Sequence, residues 1–294
     1  MNPDQLAALV AVVDGGSFEA AARALHVTPS AVSQRIKALE QHWGRVLVVR
    51  STPCRATAQG QVLLRLARQV AELQADVLAE LTPSGGQRRR LPVVVNADSL
   101  ATWFLPVLTD AAGWSDCALE LLIEIEDHGT EHLRTGQAVG AVTSDPVVVH
   151  GCTIEPLGVL RYVPVSTPHL RSTYRRGAGV DWERMPMMRF SPADDLQHRL
   201  LQRHGVETVE VEHLIPSNHG YLAGVLAGLG WGVVAEPQLG DRLETGELVR
   251  LGARDHVDVQ LAWQSWRLGS SATMRLRESV HRAARRGLRP ARRA

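Results

Sequence analysis

Cysteine is scarce in this chain, lysine is all but missing, and no long hydrophobic run interrupts it. Cys54, Cys117 and Cys152 stand far apart. Three such residues suit neither a disulfide framework nor a zinc site, and they fit a reducing cytosol. Without an apolar run of about 18 residues, no membrane-spanning helix is expected. No basic leader precedes the first apolar stretch, which Asp4 and Asp14 flank, so the chain reads as cytoplasmic rather than secreted. Lys37 is the single lysine among 32 basic residues, which reflects genome composition and carries no function. Catalytic signatures are missing as well. GLGWG at 228–232 lacks the GxGxxG spacing and precedes a strand, and there is no GxxxxGK loop and no HExxH. Ser99 has no histidine near it in sequence, and His128 and His132 have no third ligand in view. The expectation is a binding protein, not an enzyme, with no cofactor and no metal.

What is present divides the chain. Its 294 residues leave room for two or three domains. Residues 1–90 hold 11 Lys/Arg against 7 Asp/Glu, a balance of +4, whereas residues 91–280 hold 15 against 24, a balance of −9. From 281 onward come six arginines and no acid. A basic head on an acidic body points to an anionic partner for the head.

The head reads as three short helices and a hairpin. Asn2 and Pro3 open the first, Leu6, Leu9, Val10 and Val13 follow at helical spacing, and Gly15-Gly16 end it. Ser17 caps a second helix carrying Phe18, Ala21, Ala22 and Leu25 inward. Thr28-Pro29 open a third, with Val32, Ile36 and Leu39 inward and Pro29, Ser30, Ser33, Gln34 and Lys37 outward. This is helix-turn-helix spacing. In that motif the first turns of the second helix enter the major groove, where short hydroxyl and amide side chains reach base edges. Gln34 is suited to adenine, Ser30 and Ser33 to bases or phosphate, and Arg35 and Lys37 to the backbone. RVLVVR and RAT around STPC then read as a basic wing with Arg45, Arg50 and Arg55 beside it. From Ala58 a long helix places Leu63, Leu66, Val70, Leu73 and Val77 at 3,4 spacing, a two-heptad seam that fits dimerisation or packing on its own domain.

TPSGGQRRR at 82–90 has hinge composition. Beyond it strands alternate with helices: LPVVVN, LATWFLPVL, ALELLIEIED, EHLRTGQ, VGAVTS, MMRF, DDLQHRLLQRH, TVEVEHLI, HGYLAGVLAGLG and WGVVAE. Such alternation builds parallel or mixed sheets that bind ligands at strand carboxyl ends. Four junctions fit that rule: Asp98 and Ser99; Thr143, Ser144 and Asp145; Phe190, Asp194 and Asp195; and Ser217 with Asn218. Each residue is equally a favoured helix cap.

Residues 3–80, through GSFEAAARALHVTPSAVSQRIKALE, GRVLVVR and RATAQG, resemble the DNA-binding head and linker helix of LysR-type transcriptional regulators. WFLP, GAVT, RFxPxDxLQ and WQxWRL resemble the LysG/ArgP branch. The resemblance implies an α/β protein with an N-terminal all-α winged helix-turn-helix and a two-lobed effector domain like periplasmic binding proteins. The expected segments are the head at 1–58, the linker helix at 59–81, a hinge at 82–90, lobe I at 91–161 with 267–294, and lobe II at 162–266. It implies a homodimer through the linker helix, in many members a tetramer, acting on promoter DNA with RNA polymerase. The head contacts would include Ser17, Thr28 and Pro29 besides those above. Branch members sense basic amino acids and switch on a lysine/arginine exporter gene; some are described as inhibitors of replication initiation, so an architectural DNA binder is the alternative. Ser99, Thr102 and Thr143, with Ser217 and Asn218, would hold the effector's α-carboxylate. Asp194 or Asp195, with Asp98 or Asp145, would receive its cation, since a buried cation needs a paired carboxylate.

Overall fold

The computed structural model describes residues 1–81, 88–124 and 129–291. The hinge expected at 82–90 lies mostly outside them, as do His128 and the last two arginines.

Asn2 caps α1 (Pro3–Gly15) with a reciprocal bond from its own N–H to Gln5. Ser17 accepts the Ala20 N–H at the start of α2 (Phe18–Ala24), and Thr28 accepts that of Ala31 at the start of α3 (Pro29–Trp43). The three helices close on Leu9, Val12, Ala21, Ala22, Val32, Ile36 and Leu39. The wing follows as two-residue strands, β1 (Val48–Val49) and β2 (Arg55–Ala56), paired antiparallel. Glu40 anchors it by accepting the amides of Leu47 and Val48. Beneath it runs α4 (Ala58–Leu81), where Gly60 is required: a Cβ there would lie 2.0 Å from the Leu47 carbonyl oxygen.

The expected seam on α4 divides. Leu63 and Leu66 pack into the head, whereas Leu73 and Val77 are exposed. The same helix also ties the head to the body. Arg68 pairs with Asp14 of α1 and donates to the Thr135 carbonyl at 2.7 Å.

The body begins earlier than expected, with Arg89 and Arg90 already in β3 (Arg89–Asn96). Arg89 reaches Asp76 of α4 at 3.2 Å. LATWFLPVL is not one helix: α5 (Ala97–Leu100) stops, and Pro106 sits in the first turn of α6 (Leu105–Ala112), where a missing N–H costs nothing. β4 (Cys117–Glu124), α7 (Gly129–Thr135) and β5 (Gly140–Thr143) complete the first lobe's alternation. A long strand, β6 (Cys152–Ser166), crosses to the second lobe. There follow α8 (Pro168–Thr173), β7 (Arg175–Arg176), β8 (Gly179–Val180), β9 (Met187–Arg189), α9 (Leu196–Arg203) and β10 (Glu212–Leu214). Of TVEVEHLI only Glu212–Leu214 forms a strand, parallel to β9. Then come α10 (Asn218–Leu226), β11 (Gly232–Ala235), β12 (Val249–Arg250) and the return crossing strand β13 (Val257–Trp266). The closing helix, α11 (Ser271–Gly287), packs back on the first lobe, where Ser279 and Arg282 meet Asp110.

One sheet runs through both lobes in the order β11-β6-β13-β5-β3-β4, with β12 also on β6. β3 is parallel to β4 and β5; the crossing pair β6–β13 is antiparallel. Their register shifts between Leu261 and Ala262, opposite Gly158 and Pro156.

Candidate functional sites: the exposed helix face and the interlobe cleft

Two surfaces gather the residues singled out from the sequence. On the head, Thr28, Pro29, Ser30, Gln34 and Lys37 are exposed along one side of α3, with Ser33 half-buried beside them. The helix turns this face outward because Val32, Ile36 and Leu39 bury the opposite one. Thr28 and Ser30 share a hydroxyl hydrogen bond at 2.9 Å, which fixes the amino-terminal turn. Arg35 is held back by Asp4 at 3.3 Å, so it presents less free charge than Lys37. Arg45, Arg50 and Arg55 are exposed around the wing, and the Arg50 guanidinium lies 5.0 Å over the Phe18 ring. Ser17 is half-buried and spends its oxygen on the α2 cap.

The second surface is a cleft of about 270 Å³ between the lobes. The first lobe contributes strand ends and the residues after them: Asn96 at the end of β3 with Ala97 and Asp98 of α5, and Thr143 at the end of β5 with Ser144. The second contributes Phe190, Asp194, Asn218, Tyr221 and Gln238. Among the expected residues, Asp98, Thr143, Phe190, Asp194 and Asn218 therefore meet in one place.

The others do not line the cleft. Ser99 is fully buried behind it, with an oxygen that has no partner. The Thr102 hydroxyl turns inward to the Asp98 carbonyl at 2.6 Å. Asp145 accepts the Val147 N–H, and Ser217 caps α10 by accepting that of Gly220. Of the adjacent acids, Asp194 faces the cleft while Asp195 turns to Arg199 at 2.9 Å in an exposed pair. His132 meets Gln137 at 3.0 Å.

Two carboxylates share this enclosed space. Asp194 is held at the mouth of α9 by the N–H groups of Phe190 and Leu196 and by the Gln197 amide. Arg189 fixes that loop through the carbonyls of Pro192 and Asp194. Asp98 accepts from the Tyr162 hydroxyl at 2.8 Å and from Asn218 Nδ2 at 2.5 Å, and Asn218 Oδ1 accepts from Gln238 Nε2 at 2.7 Å. This chain of bonds spans both lobes. Burial pushes the Asp98 carboxyl up from its ordinary value, the Asp194 charge pushes the same way, and the bonds from Tyr162 and Asn218 offset only part of it. Thr143 Oγ1 accepts the Asp145 N–H at 3.0 Å, which leaves its own proton to donate. The arrangement has anionic acceptors at its centre and neutral donors at its rim.

Tyr162, Tyr221 and Gln238 were not found by sequence reasoning. Tyr162 lies inside the long apolar strand β6, and a polar tip on such a strand was the available signal.

Two family profiles match. One, "Bacterial regulatory helix-turn-helix protein, lysR family", covers residues 3–61, and the other, "LysR substrate binding domain", covers 84–285. The chain belongs to the LysR family of bacterial transcriptional regulators. Within it the similarity is to regulators called LysG and ArgP. The lysine export transcriptional regulatory protein LysG of Corynebacterium glutamicum is 42% identical over 294 residues, covering 99% of this chain and 100% of that protein. A solved structure of full-length LysG from that organism with bound effector Arg superposes with a TM-score of 0.87 at 42% identity, over 99% of this chain and 100% of the other. ArgP from Mycobacterium tuberculosis gives 0.91 at 42% identity, with the same coverage. The relatives are named as regulators, not enzymes, and among the described residues no helix is long and apolar enough to cross a membrane.

Replacing Gln34 by Ala should cost about 1–3 kcal/mol on the cognate operator and little on random DNA, read by mobility shift; equal losses on both would remove its reading role. Asp98 generates a pH prediction. Between the ordinary carboxyl value and its raised folded value, the native protein holds a proton that the unfolded chain has released, so its stability falls as pH rises through that window. In urea titrations at several pH values, Asp98→Asn should therefore gain stability relative to the parent as pH rises. A difference that is flat or opposite in sign would contradict the burial of that charge.

Proposed function

We propose that the protein is a transcriptional regulator whose cleft binds a basic amino acid, with arginine, lysine or histidine as the effector. The observation that carries this reading is the pair Asp98 and Asp194 in one interlobe cleft. An uncompensated buried carboxylate is costly, and a guanidinium or ammonium group compensates it with charge-assisted bonds. LysG of Corynebacterium glutamicum, similar over the whole length, takes arginine. In this reading the two acids receive the cation, while Thr143, Asn96 and the start of α10 hold the α-carboxylate.

The head binds promoter DNA as a homodimer through α4, where the exposed Leu73 and Val77 offer an apolar face to a second copy. Dimers pair into tetramers, and the regulated gene encodes an amino-acid exporter transcribed by RNA polymerase in the cytoplasm. The effector acts by binding one arrangement of the lobes more tightly than another. Arg68 and Arg89 carry that arrangement to α4, because each joins the helix to the first lobe.

Footprinting of the regulated promoter with and without arginine, lysine and histidine tests the reading. At least one should alter the protected pattern and raise the thermal midpoint. No change in either with any of the three would leave a DNA binder without this effector class.

A further inference from the structure

Leu288 and Arg289, past the last helix, have a place in the structure that their composition does not reveal. Past Gly287 the backbone leaves α11 in extended form, at φ −107° and ψ 153° for Leu288. Arg289 then pairs with Val159 as a short antiparallel bridge, N–H to carbonyl in both directions at 2.9 and 3.0 Å. Val159 belongs to β6 beside the register shift where the crossing strands pass between lobes. The neighbouring Gly158, at φ +146°, is shaped by this contact. A Cβ there would stand 2.6 Å from the Arg289 carbonyl oxygen and 2.9 Å from Leu288 Cβ.

The side chain of Arg289 continues across the join. Its Nε and Nη2 donate to Glu236 Oε2 at 3.1 and 2.6 Å, and Glu236 also accepts from Arg250 at 3.1 Å. Glu236 opens the one-turn helix Glu236–Gln238 directly after β11, in the second lobe. Gln238 at the end of that turn holds Asn218, and Asn218 holds Asp98. A segment anchored by α11 to the first lobe thus grips the turn that orients the cleft's polar chain.

We propose that Leu288–Arg289 is a strap over the interlobe join, and that Arg289 and Glu236 are positioning residues for the cleft. The strap holds the Glu236–Gln238 turn at the spacing that keeps Asn218 on Asp98, and so sets the closure at which an effector is gripped. The affinity part rests on the reading that the cleft takes a basic amino acid; the mechanical part does not.

The test uses the full chain and arginine itself, with variants Arg289→Gln, Glu236→Gln, both together, and Arg289→Lys. By calorimetry each neutralising change should weaken arginine about two- to fivefold, the range that a partly exposed ion pair supports. The double variant should be no weaker than Glu236→Gln alone, because both act through one contact. Arg289→Lys should stay within about twofold of the parent. DNA affinity without arginine should not change, which also controls for folding. Hydrogen exchange should be faster over residues 232–239 in ligand-free Arg289→Gln than in the parent. Unchanged exchange there would overturn the strap, and unchanged or additive affinity losses would overturn its positioning role. A parent that binds no arginine would instead sink the functional reading, with the exchange result still deciding the strap.

Discussion

A desolvated carboxylate at the join between two lobes organises this molecule. Asp98 sits in α5, two residues past the end of β3 in the first lobe, yet its bonds come from the crossing strand and from the second lobe: Tyr162 on one oxygen, Asn218 on the other. Taking such a group out of water is unfavourable unless it is paired, and two neutral hydrogen bonds repay only part. Asp194 adds charge of the same sign nearby. Such a site suits a cation, as proposed above, and the bonds that restrain the acid run from one lobe to the other.

The rest of the chain places that group relative to the head. α4 belongs to both halves: its first turns complete the head's core, and its later residues meet the first lobe through Arg68 and Arg89. Asp76 of the same helix accepts both the N–H and the hydroxyl of Ser271 at the start of α11. β3 begins with Arg89 at this junction and ends at Asn96, one residue before the cleft turn. One strand thus meets the linker helix at its first residue and the cleft at its last.

The head was legible because its signals are local. Caps at Asn2, Ser17 and Thr28 and apolar positions three and four apart need no distant partner, and the structure uses each as expected. The cleft was legible by halves. Strand-end residues such as Asp98, Thr143 and Asn218 follow from alternation alone, but Ser99, Asp145, Asp195 and Ser217 fit the same rule and serve as caps, buried supports or outward pairs. Nothing within a junction tells those uses apart. Tyr162 and Gln238 were missed because neither lies at a strand-to-helix junction: Tyr162 is within the crossing strand β6, whose partners such as Arg161 and Asp258 stand 97 residues apart, and Gln238 ends the short turn after β11. The seam on α4 was legible in its first part, where Leu63 and Leu66 pack into the head, while Leu73 and Val77 stay exposed.

The central claim is that the cleft selects positive charge on its ligand, and citrulline tests it most directly, having arginine's shape with an uncharged ureido group. Calorimetric titration of the full chain with each, at neutral pH and low salt, should show arginine binding at least about tenfold more tightly, the equivalent of roughly 1.4 kcal/mol. Equal affinity for both, or a preference for citrulline, would contradict the account.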